Sequence, residues 1–312
     1  MRRFITWFCA LACLAAVIAA GAGLYIGNLA FERCMSASWD ALLGIENHAR
    51  DVAPIEEGEE EFNWREAVTE GRDGVPLRGT YIESRDHSHR TVILLHGLYH
   101  NRSMCLPYVG MYRRLGYNVL LVDQRGHGES GGQTTWGICE ADDIGQWVQW
   151  LKRQDGSMTI GLHGISLGAA MALLYAGSDE GQDTAFVVAD SAYGNIISLG
   201  REKIIAAGND EVLWEYDMVL PFFQAAMWYH TGKVMADIEP AQAVRSIRCP
   251  VLFLHGQEDR LVPVETAWSL YEACSSPHAY IHVFPGSPHA VGIDTDRREY
   301  RQVVTSFLRD IP

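Results

Sequence analysis

Seven cysteines in 312 residues are too few for a disulfide scaffold, and no two of them form a C-x-x-C pair, so a redox dithiol or a thiolate metal site has no basis here. Cys9 and Cys13 lie inside an apolar segment. Cys34, Cys105, Cys139, Cys249 and Cys274 read as small core hydrophobes, with one bridge left open. Basic clusters are also missing. Lys and Arg number 25 against 39 Asp and Glu, a formal charge of −14, whereas a nucleic-acid surface needs a basic patch. Nucleic acid is therefore not expected as a partner, and the acidity reads as a solubilising surface. Internal repeats and low-complexity stretches are absent too, and 48% hydrophobic with 21% charged residues is a globular balance.

What the chain does have is one long apolar run, Phe4 to Gly27, enough to cross the roughly 30 Å of bilayer hydrocarbon. Arg2 and Arg3 precede it and only Arg33 follows closely, which keeps the N-terminus cytoplasmic and puts the rest of the chain outside. Ala20-Gly21-Ala22 resembles a signal-peptidase site, but the run is long for a signal peptide. The expectation is a retained single-pass anchor over 1–27 in the cell membrane, with secretion after cleavage as the alternative. Residues 28–61, with the acidic run Glu56-Glu57-Gly58-Glu59-Glu60-Glu61, read as a solvated, partly helical connector.

From 62 onward the pattern is that of one α/β domain. Two alternating runs flank Asp73-Gly74 and predict an antiparallel hairpin. Continuous apolar strands follow at Thr91–Leu95, Asn118–Val122, Ser157–His163, Ala185–Ala189, Val251–Leu254 and Tyr280–Phe284. Between them lie helical stretches near 101–115, 139–154, 166–177, 264–274 and 296–309. Strands without polar alternation, separated by helices, mean a mostly parallel sheet covered on both faces. One insertion, 194–248, breaks the rhythm and predicts a small helical cap. Its aromatic residues Trp214, Tyr216, Phe222, Phe223, Trp228 and Tyr229 suit either a pocket lining or burial of the cap.

The chemistry centres on Gly164-Ile165-Ser166-Leu167-Gly168, set between an apolar strand and an Ala-rich helix. Glycines two before and two after the serine allow a sharp, exposed turn, the nucleophile elbow. The pentapeptide alone is common, and the strand–turn–helix context is what gives it meaning. A serine nucleophile needs a histidine to accept its proton and a carboxylate to orient that histidine. His289, in Gly286-Ser287-Pro288-His289, alone follows the last strand. His96, His163 and His255 precede glycines at strand ends and read as packing residues. Asp259, after the penultimate strand, is the expected acid, with Glu258 and Asp190 as competitors. The oxyanion donors should be the backbone N–H groups of Leu167, directly after the serine, and Leu98, after an earlier strand. Nothing in these motifs calls for a cofactor or a metal.

LLHGLYHNR, VDQRGHGESGG, HGISLG, LFLHGQEDRLVP and GSPH occur in this order. On these motifs the chain, from about Phe62 to its end, resembles the α/β-hydrolase superfamily. Within it the chain is similar to bacterial membrane-anchored or exported hydrolases related to serine aminopeptidase-like and carboxylesterase-like proteins. The resemblance implies the α/β-hydrolase fold and a Ser166–His289–Asp259 triad, with Asp123, Arg125, His127 and Gly128 in a structural loop beside the site. It implies a serine hydrolase cleaving a carboxylic ester, a serine esterase in the broad sense, through an acyl-serine intermediate. A peptidase or amidase using the same triad is the alternative. A peptidase would need a carboxylate for a free amino terminus, for which the cap offers Glu202, Glu211, Glu215, Asp217 and Glu239, none of them distinctive. The expected partners are a small-molecule ester or amide and, through the N-terminal helix, a membrane. A non-enzymatic binding module would lack a triad member, and none is missing.

Overall fold

Runs of Val, Ile and Leu build the centre of the sheet. In the computed structural model the described residues are 2–36, 40–44, 46–51, 64–85 and 88–311. The acidic run expected in the connector lies outside them. The strands are β1 (Trp64–Glu70), β2 (Pro76–Ile82), β3 (Arg90–Leu95), β4 (Asn118–Val122), β5 (Thr159–Ile165), β6 (Val187–Asp190), β7 (Val251–Gly256) and β8 (Ala279–Phe284). They form a sheet of order β1-β2-β4-β3-β5-β6-β7-β8. β1 and β2 make the expected hairpin, β2 runs antiparallel to β4, and every pairing from β4 onward is parallel.

The main helices are α1 (Arg2–Ser36), α2 (Leu106–Arg114), α3 (Ile138–Gln154), α4 (Leu167–Gly177), α5 (Ile196–Ala206), α6 (Leu213–Thr231), α7 (Val264–Ala273) and α8 (Arg297–Asp310). α1 passes the expected end at Gly27 and carries on to Ser36. Its polar end is supported from within, by Asn28 Nδ2 donating to Glu32 Oε1 at 2.8 Å and Ser36 Oγ donating to the Glu32 carbonyl at 2.7 Å. The helix is long and apolar enough to cross a membrane, with a mean hydropathy of 2.2. All seven cysteines are free thiols, so the bridge left open by the sequence is not formed.

The chain divides into two compact units. One joins α1 to Gly200–Asp237, the greater part of the insertion; the other holds the sheet and the remaining helices. Within the insertion Phe223 and Met227 are buried, whereas Trp214, Trp228 and Tyr229 are exposed, so its aromatic residues divide between two environments. The expected connector is also not wholly solvated. The His48 N–H donates to the Tyr99 carbonyl at 2.8 Å, and the Ala49 carbonyl accepts the Gly128 N–H at 2.7 Å.

In the sheet unit a buried polar chain ties helices to strands. Tyr112 of α2 donates to His163 Nδ1 at 2.9 Å, His163 Nε2 donates to Tyr300 Oη at 3.0 Å, and Tyr300 donates to Asp190 Oδ2 at 2.8 Å. A neutral imidazole with its proton on Nε2 satisfies every step. His163 thus joins α2, β5, α8 and the end of β6, which agrees with the packing role read from its place at a strand end.

Burial holds the His163 imidazole neutral, its pKa pushed down from 6.5 to about 3. Because the folded value lies below the unfolded one, stability is full above pH 6.5 and is lost as pH falls toward 3. The slope is roughly 1.4 kcal/mol per pH unit. Denaturant unfolding at pH 7, 6 and 5 should therefore show a flatter decline for His163→Gln, which keeps a donor and an acceptor without titrating. Equal slopes in the two proteins would contradict this assignment.

Candidate active site

The site grows from the junction of β5 and α4. Ser166 lies at φ 54° and ψ −113°, a backbone region that side chains rarely occupy. Two close approaches explain the flanking glycines. A Cβ on Gly164 would lie 2.2 Å from the Gly168 carbonyl oxygen, and a Cβ on Gly168 would lie 2.3 Å from that of Leu95. The Ser166 N–H is fixed by the Asp190 carbonyl at 2.7 Å. The serine is partly exposed while its neighbours Ile165 and Leu167 are buried, so the turn presents a hydroxyl on an otherwise closed surface.

Two loops at neighbouring strand ends bring the partners in. After β7, Asp259 Oδ1 accepts the N–H groups of Leu261 and Val262 at 2.9 and 2.8 Å. After β8, the Ser287 carbonyl accepts the Glu258 N–H at 2.9 Å, which joins the two loops. His289 then stands between its partners, with Nε2 2.8 Å from Ser166 Oγ and Nδ1 2.6 Å from Asp259 Oδ2. Burial alone would raise the Asp259 carboxyl, but hydrogen bonds from His255 and His289 outweigh it and hold the group well below the usual carboxylate range. An ionised acid is what a histidine accepting a proton from serine requires.

Of the competing carboxylates, Asp190 is engaged elsewhere. Asp190 accepts from Tyr300 and, at Oδ1, from Ser191 Oγ at 2.9 Å. Its burial raises its pKa. Glu258 is exposed.

The expected oxyanion donors, Leu167 and Leu98, lie on two segments next to the serine. Leu167 opens α4, where the first N–H groups have no partner within the helix. The loop after β3 also runs beside the nucleophile, since a Cβ on Gly97 would lie 3.5 Å from Ser166 Cβ, which puts Leu98 next to it in the chain. That loop is held by two histidines. His96 Nε2 accepts the Gln124 N–H at 3.0 Å, and His127 Nε2 accepts the Tyr99 N–H at 3.1 Å. Burial pushes the pKa of both imidazoles down, which keeps them neutral acceptors. The Asp123–Gly128 loop is pinned in turn. Arg125 Nε donates to Asp143 at 2.7 Å, and the Asp123 carboxylate accepts the Arg102 N–H at 2.7 Å.

One contributor was read from the sequence only as packing. His255 is fully buried with Nε2 2.9 Å from the Val262 carbonyl and 3.1 Å from Asp259 Oδ2, so Asp259 faces a second imidazole besides His289. The four-residue spacing in His255-Gly256-Gln257-Glu258-Asp259 was the available signal. Among the described residues, no group of three or more His, Cys, Asp or Glu could hold a metal ion.

A mostly parallel sheet with a serine elbow after β5, an acid loop after β7 and a histidine loop after β8 defines a hydrolase of the α/β class. The chain belongs to the alpha/beta hydrolase family, whose model matches residues 92–303. An uncharacterised Bacillus subtilis protein, YqkD, is 32% identical over 75% of this chain and 76% of its own length. The lysophosphatidylserine lipase ABHD12 of Danio rerio is 29% identical over 67% of this chain, which spans about half (52%) of that relative. Among solved structures, the Pyrococcus furiosus esterase Pf2001 superimposes with a TM-score of 0.68 at 29% identity, covering 85% of this chain and 99% of its own.

The hydrogen bonds predict how Asp259 and Asp190 divide the work. Asp259→Asn should lower kcat for ester hydrolysis by about 10³- to 10⁴-fold, because the amide favours the wrong histidine tautomer. Asp190→Asn should cost far less. The reverse ranking, with both variants folded by circular dichroism, would move the acid to Asp190.

Proposed function

We propose that this protein is a serine hydrolase that cleaves carboxylic esters through an acyl-Ser166 intermediate. The observation that carries this reading is the unbroken hydrogen-bond path from Ser166 Oγ through His289 to Asp259, at 2.8 and 2.6 Å. In the reaction, His289 Nε2 takes the Ser166 proton as Oγ attacks the ester carbonyl carbon, while the Leu98 and Leu167 N–H groups receive the charge that develops on its oxygen. His289 then gives that proton to the departing alkoxide. A water, deprotonated by the same imidazole, attacks the acyl-serine, releases the carboxylic acid and restores the hydroxyl. Asp259 stays ionised throughout and stabilises the imidazolium through Nδ1.

The esterase and lipase among the related proteins support an ester over an amide as the bond cleaved. We also read α1 as a retained anchor with the sheet unit on the outer face, on the strength of its length and the basic residues at its start.

Turnover of graded nitrophenyl esters beside aminoacyl anilides, with the full chain in detergent, tests the reaction. Esters should be hydrolysed with kcat/KM well above the anilides, and Ser166→Ala should lower kcat by about 10⁴-fold or more. Anilides turned over as well as esters would point to a peptidase. Folded protein inactive on both would point to a binding module.

A further inference from the structure

α6 presents an apolar surface on two sides. On one side it lies against α1 within the same unit. A Cβ on Gly23 would meet the Phe222 ring at 2.3 Å and a Cβ on Gly27 the Phe222 backbone at 2.4 Å, so these two glycines form a notch that only bare backbone permits. Further along, the Phe31 ring stacks on His230 at 4.7 Å and tilts against Phe223 at 6.1 Å, while His230 Nε2 lies 2.8 Å from Asn28 Oδ1.

The other side is solvent-exposed among the described residues. At about 100° per residue, Trp214, Met218, Pro221, Ala225, Trp228 and Tyr229 fall on one stripe of α6 roughly 100° wide. The large members are strongly exposed, Trp228 at 63% and Tyr229 at 80%. The buried residues Phe223, Ala226 and Met227 lie on the opposite arc. A contiguous exposed apolar stripe of this kind marks a binding surface.

The position of the notch along α1 names the occupant. From Phe4 to Gly23 the helix is about 30 Å long at 1.5 Å per residue, the thickness of bilayer hydrocarbon, and its large side chains there, such as Phe4, Trp7, Leu11, Leu14 and Ile18, are exposed and apolar. Gly23, Gly27, Asn28 and Phe31 therefore stand where the helix leaves the hydrocarbon, and α6 is held to α1 at that level. Tryptophan and tyrosine concentrate at this depth of a membrane.

We propose that the outward stripe of α6 seats in the headgroup and acyl boundary of the bilayer that α1 crosses, so that α6 is a second, interfacial membrane element. This rests on reading α1 as a retained anchor. Glu215 and Asp217 adjoin the stripe, and the chain carries a formal charge of −14, so apolar burial rather than attraction to anionic lipid drives the contact.

Benzoylphenylalanine placed singly at Leu14, Met218, Trp228 or the exposed Arg153, in the full chain reconstituted into phosphatidylcholine vesicles, tests the proposal. Irradiation should give lipid adducts, read by mass, at Leu14, Met218 and Trp228. Yields at Met218 and Trp228 should exceed that at Arg153 by about tenfold. They should stay the same between about 0.1 and 0.5 M salt. Lipid adducts at Leu14 with none above the Arg153 level at Met218 and Trp228 would leave the anchor standing and overturn the interfacial role of α6. Cross-linked dimers at those two positions in place of lipid would assign the stripe to a second copy of the chain, and also overturn it. No lipid adduct at Leu14 would overturn the anchor, and the proposal with it.

Discussion

The turn at Ser166 is the constraint on which the site depends. A serine held at φ 54° costs about 1–3 kcal/mol of backbone strain, which only a tightly determined surrounding can sustain. Here that surrounding is the contact of β5, α4 and the end of β3 at Gly164 and Gly168, where carbonyl oxygens occupy the space that side chains would fill. The same contact brings the loop after β3 beside the serine, where a Cβ on Gly97 would lie 3.5 Å from Ser166 Cβ. The Ser166 turn and the loop after β3 are therefore one piece of packing, fixed by parallel pairing of β3 with β5.

Around that piece the polar groups are arranged as acceptors and donors whose protonation states burial has already decided. His96, His127 and His163 are kept neutral by burial, and each is bonded in a way that a neutral ring satisfies. Asp259 is kept ionised by two imidazoles and two backbone N–H groups. Asp190 has a different office. Through Ser191 Oγ, which accepts the Ala290 N–H at 3.1 Å, it steadies the residue next to His289 without touching the imidazole itself.

The sheet, and the residues that the structure brings together at Ser166, were legible in the sequence because their signals are local. Continuous apolar strands reveal a parallel sheet, and each site residue stands within a few positions of a strand end, in the order Ser166, Asp259, His289. The role of His255 was hidden because a histidine before a glycine at a strand end looks like His96 and His163, and only the fold of the loop turns it toward Asp259. The grouping of α1 with α6 was hidden for a different reason. It joins residues some 200 positions apart through Gly23 and Gly27, and glycines in an apolar helix announce a close approach without naming the partner. The docking of His48 and Ala49 was missed because a short polar stretch carries no periodic signal, and its bonds are made by backbone.

The claim that Ser166 carries the acyl group is tested most directly by locating that group. The full chain mixed with excess nitrophenyl ester, quenched in acid on the time scale of a single turnover and mapped by peptide mass, should carry the acyl mass on the peptide containing Ser166. Ser166→Ala should carry none. An acyl group on another residue, or undiminished ester hydrolysis by Ser166→Ala, would contradict the account.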